Sequence, residues 1–100
     1  MEVLDTSLLI EGKRGLTTIF SIIEYPLASK GSRILFPKRE GFLKSIEIMV
    51  KLREIGKPVP AIDVLIAAIC IRRDLKLLTR DKHFLLIKEV EPEFKVEVVG

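Results

Sequence analysis

Between Arg39 and Ile55 the apolar positions Phe42, Ile46, Met49 and Val50 recur at i, i+4, i+7 and i+8, while Glu40, Lys44, Glu47, Lys51 and Glu54 fill the opposite side. That spacing predicts an amphipathic helix, supported by the favourable i,i+4 order of Glu47 and Lys51 and ended by Gly56. Both charge signs alternate along its polar side, which points to a solvated face and not to a ladder for nucleic acid. Ala61 to Arg73 follows a different pattern, apolar nearly all round (Ile62, Leu65, Ile66, Ile69, Ile71) and opened by Pro60. Such a segment predicts a central helix buried on several sides, with proline suitably placed in its first turn. Four shorter runs predict strands: Glu2 to Asp5, Ser32 to Phe36 stopped by Pro37, Lys76 to Thr79, and the alternating Phe94 to Val99 at a sheet edge. Between them lie shorter helical stretches. Ser7 to Lys13 follows the hydroxyl pair Thr6-Ser7 and ends at Arg14-Gly15, Leu16 to Ser29 opens on Thr17-Thr18 and is weakened by Pro26, and Lys82 to Ile87 completes the set. Strands alternating with helices predict an α/β fold: a three-layer α/β/α sandwich around a mainly parallel sheet.

Composition narrows the classes. One hundred residues suffice for one domain, 1–100, with a real core and no room for a second. The longest uninterrupted apolar stretch, Val64 to Ile71, is too short to span a bilayer. The first residues carry Glu2 and Asp5 and no basic region, so no secretory signal is expected. A lone cysteine, Cys70, allows no internal disulfide and suits a cytoplasmic setting. Asn, Gln and Trp are absent while Lys, Glu, Arg and Ile abound, a composition expected of a thermophilic source. The net charge of +3 permits a nucleic-acid partner without demanding one.

Chemistry enters through the acids. The chain has ten glutamates but only four aspartates, and aspartate favours caps, turns and sites over helix interiors. Asp5 ends the first strand and Asp81 follows the third, so both fall at carboxyl ends of strands, where parallel sheets form their sites. Asp63 lies in the apolar helix, where an unpaired carboxylate is costly to bury. Glu24 interrupts the oily run Phe20 to Ile23. Each has a plain alternative: Asp5 or Asp81 as a helix cap, Asp63 as complement to the positive end of its helix, Glu24 as one exposed turn. Asp74 and Glu11 have the look of ordinary surface acids. Two carboxylates about 4 Å apart repel by roughly 4 kcal/mol at an effective dielectric near 20, so a cluster calls for a cation. With one histidine, His83, and one cysteine, the usual nitrogen and sulfur zinc sites cannot be built. The expected ion is a hard one held by oxygen, Mg²⁺ or Mn²⁺.

Leu4-Asp5-Thr6-Ser7, Ser21-Ile22-Ile23-Glu24, Ala61-Ile62-Asp63-Val64-Leu65-Ile66-Ala67-Ala68 and Leu78-Thr79-Arg80-Asp81-Lys82-His83-Phe84 together resemble the PIN-domain ribonucleases, and among them the VapC-type toxins. The resemblance spans nearly the whole chain and is most specific from Asp63 to Phe84. It implies a parallel sheet between helices and a Mg²⁺- or Mn²⁺-dependent endonuclease acting on RNA. Asp5, Glu24, Asp63 and Asp81 would form the acidic quartet, Ser7 or Thr6 would supply a hydroxyl, and Thr79 would orient the site. Water would attack the phosphorus with the help of the cations. The same resemblance implies a homodimer and a small antitoxin protein whose tail enters the cleft. The stretches from Asp5 to Glu24 and from Glu24 to Arg39 are shorter than usual, so a shortened, non-catalytic PIN-like module binding RNA or protein is the competing expectation. Lys13, Arg14, Arg80 and Lys82 are candidates for contacts to RNA phosphates.

Overall fold

Five short strands make one parallel sheet in the computed structural model, which describes residues 1–100. They are β1 (Glu2–Leu4), β2 (Leu16–Thr18), β3 (Arg33–Leu35), β4 (Lys76–Thr79) and β5 (Val96–Val98), in spatial order β3-β2-β1-β4-β5. Every neighbouring pair is parallel. Side chains alternate between the faces, as strand geometry requires. Val3 and its partner Leu77 enter a large core with Ile48, Leu52, Val64, Ile66, Phe84, Ile87 and Phe94. Leu4 and Ile34 point the other way and pack on Leu9, Ile22 and Ala28. Helices therefore cover both faces: α3 (Arg39–Glu54), α4 (Ala61–Arg73) and α5 (Phe84–Val90) on one, α1 (Thr6–Ile10), α2 (Ile19–Glu24) and the 3-10 turn Pro26–Ser29 on the other.

The α4 helix has the expected bounds and buries Val64, Ile66, Ala67, Ala68, Ile69 and Cys70. Burial, with a smaller push from the Asp5 charge, moves the Cys70 thiol up to about 12, so it behaves as a small core residue. The helix closes on Asp74 in the left-handed conformation (φ 55°), which a short polar side chain tolerates better than most. No helix is long and apolar enough to cross a membrane.

Two expectations are corrected. Leu16 to Ser29 is not one helix. Leu16–Thr18 forms β2 beside β1, where the Thr17 hydroxyl donates to the Leu4 carbonyl at 2.7 Å, and helix begins only at Ile19. Thr18 is still the N-cap, its Oγ1 accepting from the Ser21 N–H at 3.2 Å. A threonine pair serves a strand end and a cap equally well, and pairing with β1 and β3 decided for strand.

The second correction concerns the phase of α3. Phe42, Ile46 and Val50 are exposed, and the buried line is Gly41, Ser45, Ile48 and Leu52. Gly41 and Ser45 are small enough for close approach, and Ser45 Oγ returns its proton to the Gly41 carbonyl at 2.8 Å. On the same side Lys44 and Lys51 reach Glu91, each at 2.8 Å, and that carboxylate is only 1% exposed. Burial alone would push Lys44 down, but its bonds to Glu47 and Glu91 hold it above the ordinary lysine range. Glu47 thus pairs with Lys44 at 2.6 Å, and Lys51 pairs with Glu91. The charged residues do not form a purely solvated face. Phe84 and Phe94, with ring centroids 6.5 Å apart, lie in the large core.

Candidate functional site

The chain moves outward from β1 through β2 to β3, then returns to place β4 on the other side of β1. At such a switch point the loops after adjacent strands part in opposite directions and leave a crevice beyond their carboxyl ends. Asp5 directly follows β1, and Thr79 ends β4 two residues before Asp81.

Asp5 occupies the cap position of α1, yet its side chain makes no capping bond. Its Oδ2 instead accepts the Thr79 hydroxyl at 2.7 Å and the Ser7 hydroxyl at 3.2 Å. Thr79 Oγ1 in turn accepts the Asp81 N–H at 2.9 Å, and Ser7 Oγ accepts the Arg80 N–H at 3.0 Å. Each hydroxyl spends its one proton on Asp5 and its lone pair on the β4 loop. The two loops are thereby locked together, and both bonds to Asp5 fall on Oδ2, not on Oδ1.

Asp63 reaches the same place from the first turn of α4, half-buried. Its carboxyl is pushed up to about 6, first by desolvation and then by the charges of Asp81, Asp5 and Glu24, with His83 opposing. The four acids named from the sequence therefore share one electrostatic neighbourhood. They are not equally close. Asp63, Asp81 and His83 offer ligand atoms within 4.8 Å of one another, whereas Asp5 and Glu24 lie outside this tight trio. Glu24 stands exposed at the end of α2 and accepts the Thr6 hydroxyl at 2.7 Å. Asp81 Oδ1 also accepts the His83 N–H at 2.9 Å in the turn ahead of α5, where His83, not Asp81, holds the cap position.

The expectation of an all-oxygen donor set omits His83, whose Nδ1 lies 3.2 Å from Asp81 Oδ1. Its position two residues after Asp81 was the available signal. The donor set fits a divalent cation: like charges crowd a half-desolvated carboxylate, and a cation would relieve both penalties. The basic candidates divide. Arg80 forks onto Glu11, with Nη2 to Oε1 at 3.0 Å, and donates to the Val99 carbonyl at 3.1 Å. Its hydrogen bond and charge hold the Glu11 carboxyl below the usual range. Arg14 donates to the Leu9 and Lys13 carbonyls at 2.9 and 2.7 Å. Lys13 and Lys82 are exposed.

The family model of the PIN domain matches residues 6–90, starting one residue after Asp5. The chain belongs to the PIN-domain family. Nuclease activity is the general property of PIN domains. Among solved structures, the PIN fold of this chain is similar to a chain of DNA-bound VapBC from Salmonella typhimurium, with a TM-score of 0.78, 18% identity and 96% of each chain covered. VapBC-5 from Mycobacterium tuberculosis, a member of the VapBC family of toxin–antitoxin systems, gives 0.77 and 22% identity, covering 96% of this chain and 94% of that one. VapBC-1 from nontypeable Haemophilus influenzae gives 0.74 and 17%, again with 96% of each covered. At these identities the likeness is one of fold. No curated protein matches the chain in sequence.

Proposed function

We propose that this PIN domain, acting as a single unit over residues 1–100, is a divalent-cation-dependent endoribonuclease of the VapC type, the toxin of a toxin–antitoxin pair. The observation that carries the reading is the convergence of Asp5, Asp63 and Asp81 on the switch-point crevice, with Glu24 at its rim and Asp63 raised to about 6 by its neighbours. When bound, Mg²⁺ or Mn²⁺ supplies the positive charge that the carboxylates lack and polarises a phosphodiester and water. Asp63 and Asp81 hold the cation, and Asp5 presents Oδ1 while Thr79 and Ser7 fix Oδ2. Glu24, steered by Thr6, orients water at the rim. Lys13 and Lys82 contact RNA phosphates. Arg80 and Arg14, tied to internal acceptors, chiefly brace the loops that carry the site. The alternative is a non-catalytic RNA- or protein-binding module, favoured by the short stretches on either side of Glu24.

The partners follow the same reading. RNA is the substrate, and an antitoxin like those implied by the VapBC neighbours occupies the cleft. A homodimer forms through the exposed Phe42, Ile46 and Val50 stripe of α3. Antiparallel pairing of two α3 helices about Ile46 would set Phe42 against Val50 and Arg39 against Arg53 of the second copy, so apolar contact and not charge would hold the pair. Cleavage of a fluorescent single-stranded RNA with Mg²⁺, Mn²⁺ or chelator tests the catalytic reading. Cation-dependent cleavage lost in Asp5→Asn and Asp63→Asn, with circular dichroism unchanged, is expected. RNA or antitoxin binding without cleavage by the wild type would instead select the non-catalytic module.

A further inference from the structure

We infer that His83 is a direct nitrogen ligand of the cation held by Asp63 and Asp81, and that it tilts the site from Mg²⁺ toward Mn²⁺ and later first-row cations. The inference rests on the cation reading above and adds a donor and a selectivity to it. The turn at the start of α5 brings the ring alongside Asp81, because the His83 N–H and Nδ1 both approach Asp81 Oδ1, at 2.9 and 3.2 Å. Asp63 arrives from a different element, α4, and its carboxylate closes the group within 4.8 Å. Octahedral bonds of about 2.1 Å place cis ligands about 3 Å apart and trans ligands about 4.2 Å apart. The 3.2 Å separation is close to one such cis edge. A surface histidine resting beside a carboxylate explains the pair, but not the Asp63 ligand atom from α4 within 4.8 Å of both.

The ring has no core-packing duty, since the His83 side chain is 58% exposed. The chemistry of the donor then sets the preference. Mg²⁺ favours oxygen and water, whereas imidazole gains strength along the first-row series. His83 is the only histidine in the chain, so an imidazole signal has a single source.

Electron paramagnetic resonance titration of Mn²⁺, Mg²⁺ competition and pulsed measurement of ¹⁴N coupling test the assignment on the full chain. Wild type should show ¹⁴N modulation from one imidazole. His83→Gln keeps the backbone N–H that Asp81 accepts. It should lose the modulation and about tenfold in Mn²⁺ affinity, with Mg²⁺ affinity little changed. Mn²⁺ binding without imidazole coupling in the wild type, or with the same Mn²⁺ to Mg²⁺ preference in His83→Gln, overturns the ligand and leaves the cation reading standing. No Mn²⁺ binding at all overturns both.

Discussion

At the residue scale the chemistry turns on two side chains. Asp63 is the carboxylate under strain. Its folded-state value of about 6 exceeds the ordinary 3.8 because burial and three neighbouring acids oppose its charge. The folded chain therefore holds this proton over a pH range where the unfolded chain has released it. The stabilisation is complete below about 4 and is lost as pH rises through about 6. In chelator, Asp63→Asn should be more stable than wild type at pH 7, and the gap should close as pH falls toward 4. Urea unfolding of both proteins at several pH values measures it, and a gap that stays constant with pH would contradict this account. Added cation reverses the order, because the ion binds the ionised carboxylate.

Thr79 is the second. It is fully buried, donates to Asp5 and accepts from Asp81. Thr79→Val should cost about 1–3 kcal/mol through the bonds left unmade and weaken cation binding by roughly ten- to a hundredfold. Thr79→Ser should restore most of both. If cation affinity is unchanged in Thr79→Val, the hydroxyl is a structural latch only.

At the scale of elements, helix α3 is anchored by fully buried Ile48 and Leu52 and, beside them, by an ion network. Glu91 joins Lys44 and Lys51 beside the turn into β5, where Lys88 caps the Pro92 and Phe94 carbonyls at 2.7 Å each. Glu91→Ala removes the buried acid that Lys44 and Lys51 share, leaving Lys44 with Glu47 at 2.6 Å and Glu93 at 3.6 Å. A loss of about 2 kcal/mol is expected, below the range for a fully buried pair because Lys51 keeps much of its contact with water. Thermal unfolding reads this directly, and a change under half a kilocalorie would show the network to be decorative. Glu91 could not have been singled out from the sequence. It is one of ten glutamates, and only the packing of α3 against α5 distinguishes it.

For the molecule as a whole, the exposed face of α3 is one surface with unmet apolar area, alongside Ile10, Ile23 and Leu27 on the other side of the sheet. Ile46 is 62% exposed, so Ile46→Lys should change monomer stability by no more than about 0.5 kcal/mol while abolishing self-association in analytical ultracentrifugation. Phe42→Glu, which sets an acid against Val50 of the second copy, should likewise weaken the dimer. A dimer that survives both changes would place the interface elsewhere.

The fold class was legible because its signals are local. Alternating strands and helices, Pro60 ahead of an oily helix, Gly56 after an amphipathic one, and an edge strand near the end all follow from neighbours in sequence. So did the candidate acids, since aspartates at strand ends and a carboxylate in an apolar helix are anomalies visible without coordinates. The remainder depended on distant pairing. Leu16–Thr18 became a strand because β1 and β3 flank it, and helix α3 turned its Phe42 stripe outward because Gly41 and Ser45 pack closer and Glu91 neutralises two lysines. The ranking within the site also came from tertiary structure. The packing of α4 against β4 and α5 closed Asp63, Asp81 and His83 into a tight trio, while β1 beside β4 brought Asp5 to Thr79 and Glu24 stayed exposed. Periodicity and residue type are properties of a segment, but phase, partner and distance belong to the packed chain.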